Sequence, residues 1–111
     1  MSGHDDELIM ISLIKLGPEV EPERFAEFAT SLDLPVWRSK DVVRSFDTYR
    51  VAPDERSDLD ADFVEVMRVR SLEEWERVGA TDPDITPLGA AFEELTKDAT
   101  VRRLYMRALT A

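Results

Sequence analysis

Two short stretches hold the residues best equipped for chemistry. In L-D-L-P-V-W-R-S-K, Leu32 to Lys40, a carboxylate (Asp33), an indole (Trp37) and a guanidinium (Arg38) crowd a segment that reads as the connector after a helix. In F-V-E-V-M-R-V-R, Phe63 to Arg70, Glu65 stands inside an apolar strand pattern, on the same face as Phe63 and Met67. An ionised carboxylate buried there is costly, so it must either find a cation or titrate above the usual carboxylate range. Two roles fit Glu65: a structural ion pair with an Arg of a neighbouring strand, or a general acid or base facing a pocket. Asp33 reads either as a turn-former that takes backbone N–H groups or as a site residue. Trp37 offers a stacking face for a flat ligand, and Arg38 a cation for a carboxylate or carbonyl. Taken together they describe one wall of a small-molecule pocket, with Asp33 and Glu65 as candidate catalytic groups. Tyr49 and Arg50 are further candidates for substrate binding. As neighbours on a strand they point to opposite faces, so at most one faces any given cavity.

What the chain lacks narrows the chemistry further. It has no Cys, no Asn and no Gln, and its one His, His4, lies in a polar stretch before the first apolar run. Polar recognition therefore falls to carboxylates, guanidinium groups, hydroxyls, indole N–H groups and the backbone. Thiolate metal sites and a Ser-His-Asp arrangement are excluded, and four Gly residues supply no phosphate-cradling loop. The series Asp58, Asp60, Asp62 resembles a calcium loop only in its beginning. Phe63 occupies the position that needs Gly, and Val69 the position that needs Glu. An enzyme built from these residues is expected to work without metal or cofactor. A formal charge of −10 repels phosphate backbones and anionic membranes, so no nucleic-acid partner is expected. No apolar run approaches the roughly 20 residues of a membrane span. The acidic start differs from a signal peptide, and the expected location is the cytoplasm.

At 111 residues the chain is expected to form a single domain over residues 8–111 behind a flexible tail, 1–7. Leu8 to Leu16 is nearly all apolar, which predicts a strand buried on both faces in the middle of a sheet. Glu21 to Leu32 predicts an amphipathic helix with Pro22 in its first turn and Phe25, Phe28, Ala29 and Leu32 on one face. Val42 to Val51 and Phe63 to Arg70 predict an antiparallel pair across an acidic loop. Ser71 and Glu74 form a capping box for a short helix, and the turn between Asp82 and Pro87 opens a longer one. Thr100 to Leu109 is the last strand, and Arg102, Arg103 and Arg107 there read as edge solvation. The order β-α-β-β-α-β is the ferredoxin-like pattern, an α+β fold with a four-stranded antiparallel sheet and helices on one face. Nothing in the chain is left to cover the other face, so the expected assembly is a homodimer with sheets packed together.

With those residues in view, the chain resembles the RedY-like proteins, the group that includes HapK. The matching pieces are D-L-P at Asp33 to Pro35, S-F-D-T-Y-R at Ser45 to Arg50, F-V-E-V at Phe63 to Val66 and A-A-F at Ala90 to Phe92. Two pieces depart from the family pattern: R-S-K-D-V-V stands where Leu-Pro-Ser is usual, and Leu34 where an aromatic residue is usual. The resemblance implies a dimeric α+β barrel from prodiginine or related pyrrole and indole pathways, with Asp33 at a pocket mouth and Glu65 on its floor. It points to a cofactor-independent tailoring enzyme acting on a small aromatic substrate. Two alternatives stay open: a cofactor-free monooxygenase of the antibiotic-biosynthesis type, and a non-catalytic dimer that shields a pathway intermediate.

Overall fold

Leu8–Lys15 is apolar at all positions but Ser12 and Lys15, and it forms β1, one of two strands with neighbours on both sides. In the computed structural model, which describes residues 7–52 and 60–109, the sheet order is β2-β3-β1-β4. β2 is Val43–Arg50, β3 is Phe63–Val69 and β4 is Thr100–Met106, and all neighbours are antiparallel. This is the expected ferredoxin-like arrangement with the two most apolar strands at the centre. His4, Asp58 and most of the acidic loop lie outside the described residues. Asp60 and Asp62 hold Lys15, and Asp62 also accepts the Leu16 N–H at 2.8 Å.

All the helices cover one face of this sheet. Leu8, Met10 and Ile14 of β1, Phe63, Met67 and Val69 of β3 and Phe46 of β2 are buried against Phe25, Phe28, Leu34, Trp37, Ile85, Leu88 and Leu95. Phe25 is fully buried, its ring centroid 4.7 Å from that of Phe63. On the opposite face Ile9, Ile11, Leu13, Val64 and Val66 are only half-buried. Among the described residues no helix is long and apolar enough to cross a membrane.

The first helical region corrects the sequence reading. A helix ending at Leu32 and a connector from Leu32 to Lys40 were expected. Instead α1 (Pro22–Phe28) runs through a π-helical turn (Ala29–Asp33) straight into α2 (Leu34–Arg38). Pro35 explains the widening. It has no N–H to give to Ser31, and its ring would press on that carbonyl in a regular α-turn. The Leu34 N–H instead reaches five residues back to the Ala29 carbonyl. One extra residue in the turn moves the inward face by about 100°. Leu32, expected inside, is therefore 49% exposed, and Asp33 takes its place at 5%.

The second helical region keeps its expected parts. The Ser71 hydroxyl accepts the Glu74 N–H at 3.2 Å and caps α3 (Leu72–Thr81), and Pro87 lies in the first turn of α4 (Thr86–Thr96). Lys40, just past α2, ties down the α3–α4 turn through Asp82 at 3.1 Å and Asp84 at 2.8 Å. No residue of α3 is fully buried.

The Phe25 cluster joins α1 to the sheet and should dominate stability. Phe25→Ala is expected to cost about 3–5 kcal/mol, because the site is too enclosed to collapse around a smaller residue. Denaturant unfolding measures it, and a loss below 1 kcal/mol would contradict this packing.

Candidate active site

Between the sheet and the helices lies a cavity of about 580 Å³. Its floor comes from all four strands, and its roof from the π-turn, α2, α3 and α4. The strand registers set a polar row across an otherwise apolar floor: Thr48 faces Glu65, Glu65 faces Ser12, and Ser12 faces Arg103. Phe46, Met67 and Met10 flank the row on one side. Glu65, Ser12 and Arg103 reach the cavity wall.

Asp33 comes down from the π-turn onto the same cavity, so the two candidate carboxyls meet although 32 positions separate them in sequence. Burial pushes Glu65 up to about 8, the Asp33 charge pushes the same way, and Arg103 pulls against both. Burial likewise pushes Asp33 up to about 6, while its hydrogen bond with Glu65 pulls down. The two titrate as a pair, and near neutrality they carry one negative charge with the proton on Glu65. The ion-pair role does not apply to Glu65 here: its Oε2 is buried with no hydrogen-bond partner.

Trp37 follows Asp33 by four residues and shares its inward face. Its ring stacks on Trp75 of α3 with centroids 5.7 Å apart and planes at 22°. Gly79 of α3 lies beside this pair, where an added Cβ would make an ordinary contact with the edge of the Trp37 ring at 3.9 Å. The Trp75 Nε1–H is buried without an acceptor. A site with an indole wall, an unpaired indole N–H and a carboxyl pair holding one proton can stack a flat ring and exchange protons with it.

The other candidates lie elsewhere. One residue after Trp37, Arg38 turns outward: its Nε donates to the Phe46 carbonyl at 2.8 Å and its guanidinium pairs with Asp47 at 2.9 Å. Tyr49 is 55% exposed on the uncovered sheet face. Arg50 lies on the helix-covered face, but it pairs with Glu23 at 2.7 Å and sits over the Phe63 ring, outside the cavity lining. Conversely, Trp75, Ser12 and Arg103 line the cavity without having been read as site residues; Arg103 is exposed on the edge strand, as the edge-solvation reading expects, and also borders the cavity. Strand alternation puts Arg103 on the face of Val101, but only the register reveals that Ser12 and Glu65 continue its row. Among the described residues no group of His, Cys, Asp or Glu is placed to hold a metal ion.

The pair has a consequence for stability. Both carboxyls bind protons more tightly folded than unfolded, so the stabilisation is full at low pH and is lost as pH rises through the folded values. Thermal melts should therefore show a component that begins to fall near about pH 4, where the unfolded carboxyls ionise, and is gone above about pH 8, where the folded pair has ionised too. Glu65→Gln, neutral at every pH, should flatten it. Parallel pH profiles for the variant and the parent would refute the coupling.

Solved structures share this fold along nearly the whole chain. SnoaB, a cofactor-independent oxygenase from Streptomyces nogalater, is 17% identical, with 96% of each chain covered and a TM-score of 0.69. Rv0793 from Mycobacterium tuberculosis is 20% identical, with 95% of this chain and 97% of that one covered and a TM-score of 0.67. A dimeric ferredoxin-like protein of unknown function from Thermobifida fusca YX is 17% identical, with 90% and 91% covered and a TM-score of 0.63. At such low identity these are likenesses of fold. No curated protein matches the sequence. The family model of the REDY-like protein HapK matches residues 8–106, which takes in the π-turn, the polar row and both helical regions. This chain belongs to the REDY-like HapK family.

Proposed function

We propose that the protein is a cofactor-independent tailoring enzyme of secondary-metabolite biosynthesis, working in the cytoplasm on a flat, reactive pyrrole- or indole-type intermediate of the prodiginine or bisindole kind. The observation that carries this reading is the Asp33–Glu65 pair facing a cavity walled by two stacked indoles. Ionised Asp33 takes a proton from one atom of the bound ring system, and protonated Glu65 gives one to another. Protons balance within the pair, so the step is an isomerisation or ring closure that needs no oxidant. The substrate class rests on the family, and the acid–base roles rest on burial and mutual charge.

A cofactor-free oxygenase is the second reading. The indole pair at the cavity favours it, and so does the fold likeness to SnoaB, itself a cofactor-independent oxygenase. Oxygen consumed in step with substrate would select it over proton transfer alone. Binding without turnover by the unmodified protein would select an intermediate-shielding role.

We also propose a homodimer with the uncovered sheet faces packed together. Half-buried Ile9, Ile11, Leu13, Val64 and Val66 support it, with Leu104 at 52% exposure and Tyr49 beside them. Tyr49 then serves the interface rather than the substrate. The Thermobifida fusca protein with this fold is itself dimeric.

Three measurements follow. Turnover of an indole or pyrrole intermediate should fall about 10²–10⁴-fold in Asp33→Asn and in Glu65→Gln, with substrate binding retained. The parent should show a bell-shaped pH–rate profile whose limbs belong to the pair. Normal turnover by both variants would dismiss the acid–base roles. Light scattering at micromolar concentration should give twice the chain mass, and a value near 12.7 kDa would dismiss the dimer.

A further inference from the structure

We infer that Arg103 binds an anionic group on the substrate, so that the ligand is a planar aromatic carboxylate lying along the polar row from Arg103, past Ser12, to the Asp33–Glu65 pair. This deepens the proposed function and rests on its flat-ligand reading.

The sheet registers carry the argument. Arg103 is separated from Glu65 by one strand, with Ser12 between them on the same face. At the usual strand spacing the backbone positions of Glu65 and Arg103 are about 10 Å apart. The cavity of about 580 Å³ has room for a single fused ring system bearing a carboxylate.

Arg103 is exposed on the edge strand where it borders the cavity, and its charge acts on Glu65 without a direct bond to it. Acidic partners are plentiful, and Arg38, Arg50, Arg68 and Arg70 all hold one. Arg103 makes no hydrogen bond or ion pair among the described residues, although Glu93 of α4 lines the same cavity. It does not close on Glu65 either, whose Oε2 stays buried and unpartnered. Among the residues lining the cavity, Arg103 is the sole Lys or Arg, set against Asp33, Glu65 and Glu93.

Charge at the Arg103 end of the row then decides which group of a ligand lies there. A neutral ring would leave this guanidinium unused and Oε2 without a partner. A cationic group would be repelled at this end of the row, while Asp33 and Glu65 set the charge at the other. A carboxylate can take the planar guanidinium fork with two parallel hydrogen bonds while Trp37 and Trp75 hold its ring. That pose directs the opposite edge of the ring toward the carboxyl pair, and the Ser12 hydroxyl can bond a ring heteroatom on the way.

The test compares indole-2-carboxylate with indole-2-carboxamide, two planar ligands that differ by one charge, by titration calorimetry at neutral pH and fixed salt. The unmodified protein should prefer the carboxylate by about tenfold or more, the usual worth of a charge-assisted hydrogen bond. Arg103→Met should erase that preference and leave carboxamide affinity unchanged. Arg103→Lys, which keeps the charge without the fork, should show an intermediate preference and covers the case of an unfolded Met variant. Arg24→Met removes an equal charge from exposed α1 and should keep the full preference. Equal binding of the two ligands, or a preference that survives loss of the Arg103 guanidinium, overturns the inference while leaving the aromatic cavity intact. If neither ligand binds the unmodified protein, the flat-ligand reading falls and takes this inference with it.

Discussion

The site depends on one constraint: two carboxyl groups share a buried space that will hold only one negative charge. Water would solvate both ions outside, but inside the cavity each ionisation must overcome lost hydration, and the second also meets the charge of the first. The result is asymmetry. Asp33 is the less raised and Glu65 the more raised, so near neutrality one is ionised while the other keeps its proton. No His is needed for chemistry near neutrality when burial can spread two carboxyls in this way. The apolar floor and the stacked indoles preserve that condition, and the Arg103 charge works against it.

Geometry delivers Asp33 to this position through a local irregularity. A regular α-helix from Pro22 would send Leu32 inward and leave Asp33 on the surface, where it would titrate like any exposed carboxylate. The π-turn adds one residue before Pro35 and rotates Asp33 into the cavity with Trp37 one turn later. A proline is thus tied to a pKa through the phase of a helix. Arg38 follows from the same phase: one residue beyond Trp37 it faces outward and braces β2 instead.

The fold was largely legible in the sequence because alternation and helical periodicity are local and strong. The apolar run of β1, the Ser71 cap and the order of elements each rest on a few adjacent residues. The site was legible in part. Glu65 stood out because a carboxylate interrupting an apolar strand face has few explanations, and Asp33 with Trp37 stood out by residue type. Three things were hidden. A π-turn gives no periodic signal, so Leu32 was placed inside. Strand register cannot be read from single strands, so Arg103 read only as edge solvation, although it also ends a row with Ser12 and Glu65. Trp75 lies on a helix whose packing partner is known only once Trp37 turns inward.

The roof is the least anchored part of the molecule, and that fits a binding site. α3 buries no residue fully, and its attachment runs through the Trp37–Trp75 stack, a few half-buried side chains and the Lys40 clamp on the α3–α4 turn. α4 carries Gly89 over the cavity, where an added Cβ would meet nothing within 4 Å. A mid-helix glycine costs about 1 kcal/mol relative to alanine, so space above the polar row is kept at the expense of helix stability. The opposite half, α1 on the central strands, is closely packed around Phe25 and needs no ligand to hold it. Rigid floor and lightly held roof together mean that a flat ligand would add the apolar contacts α3 lacks. Binding there should order the roof while the carboxyl pair, fixed to β3 and the π-turn, stays in place.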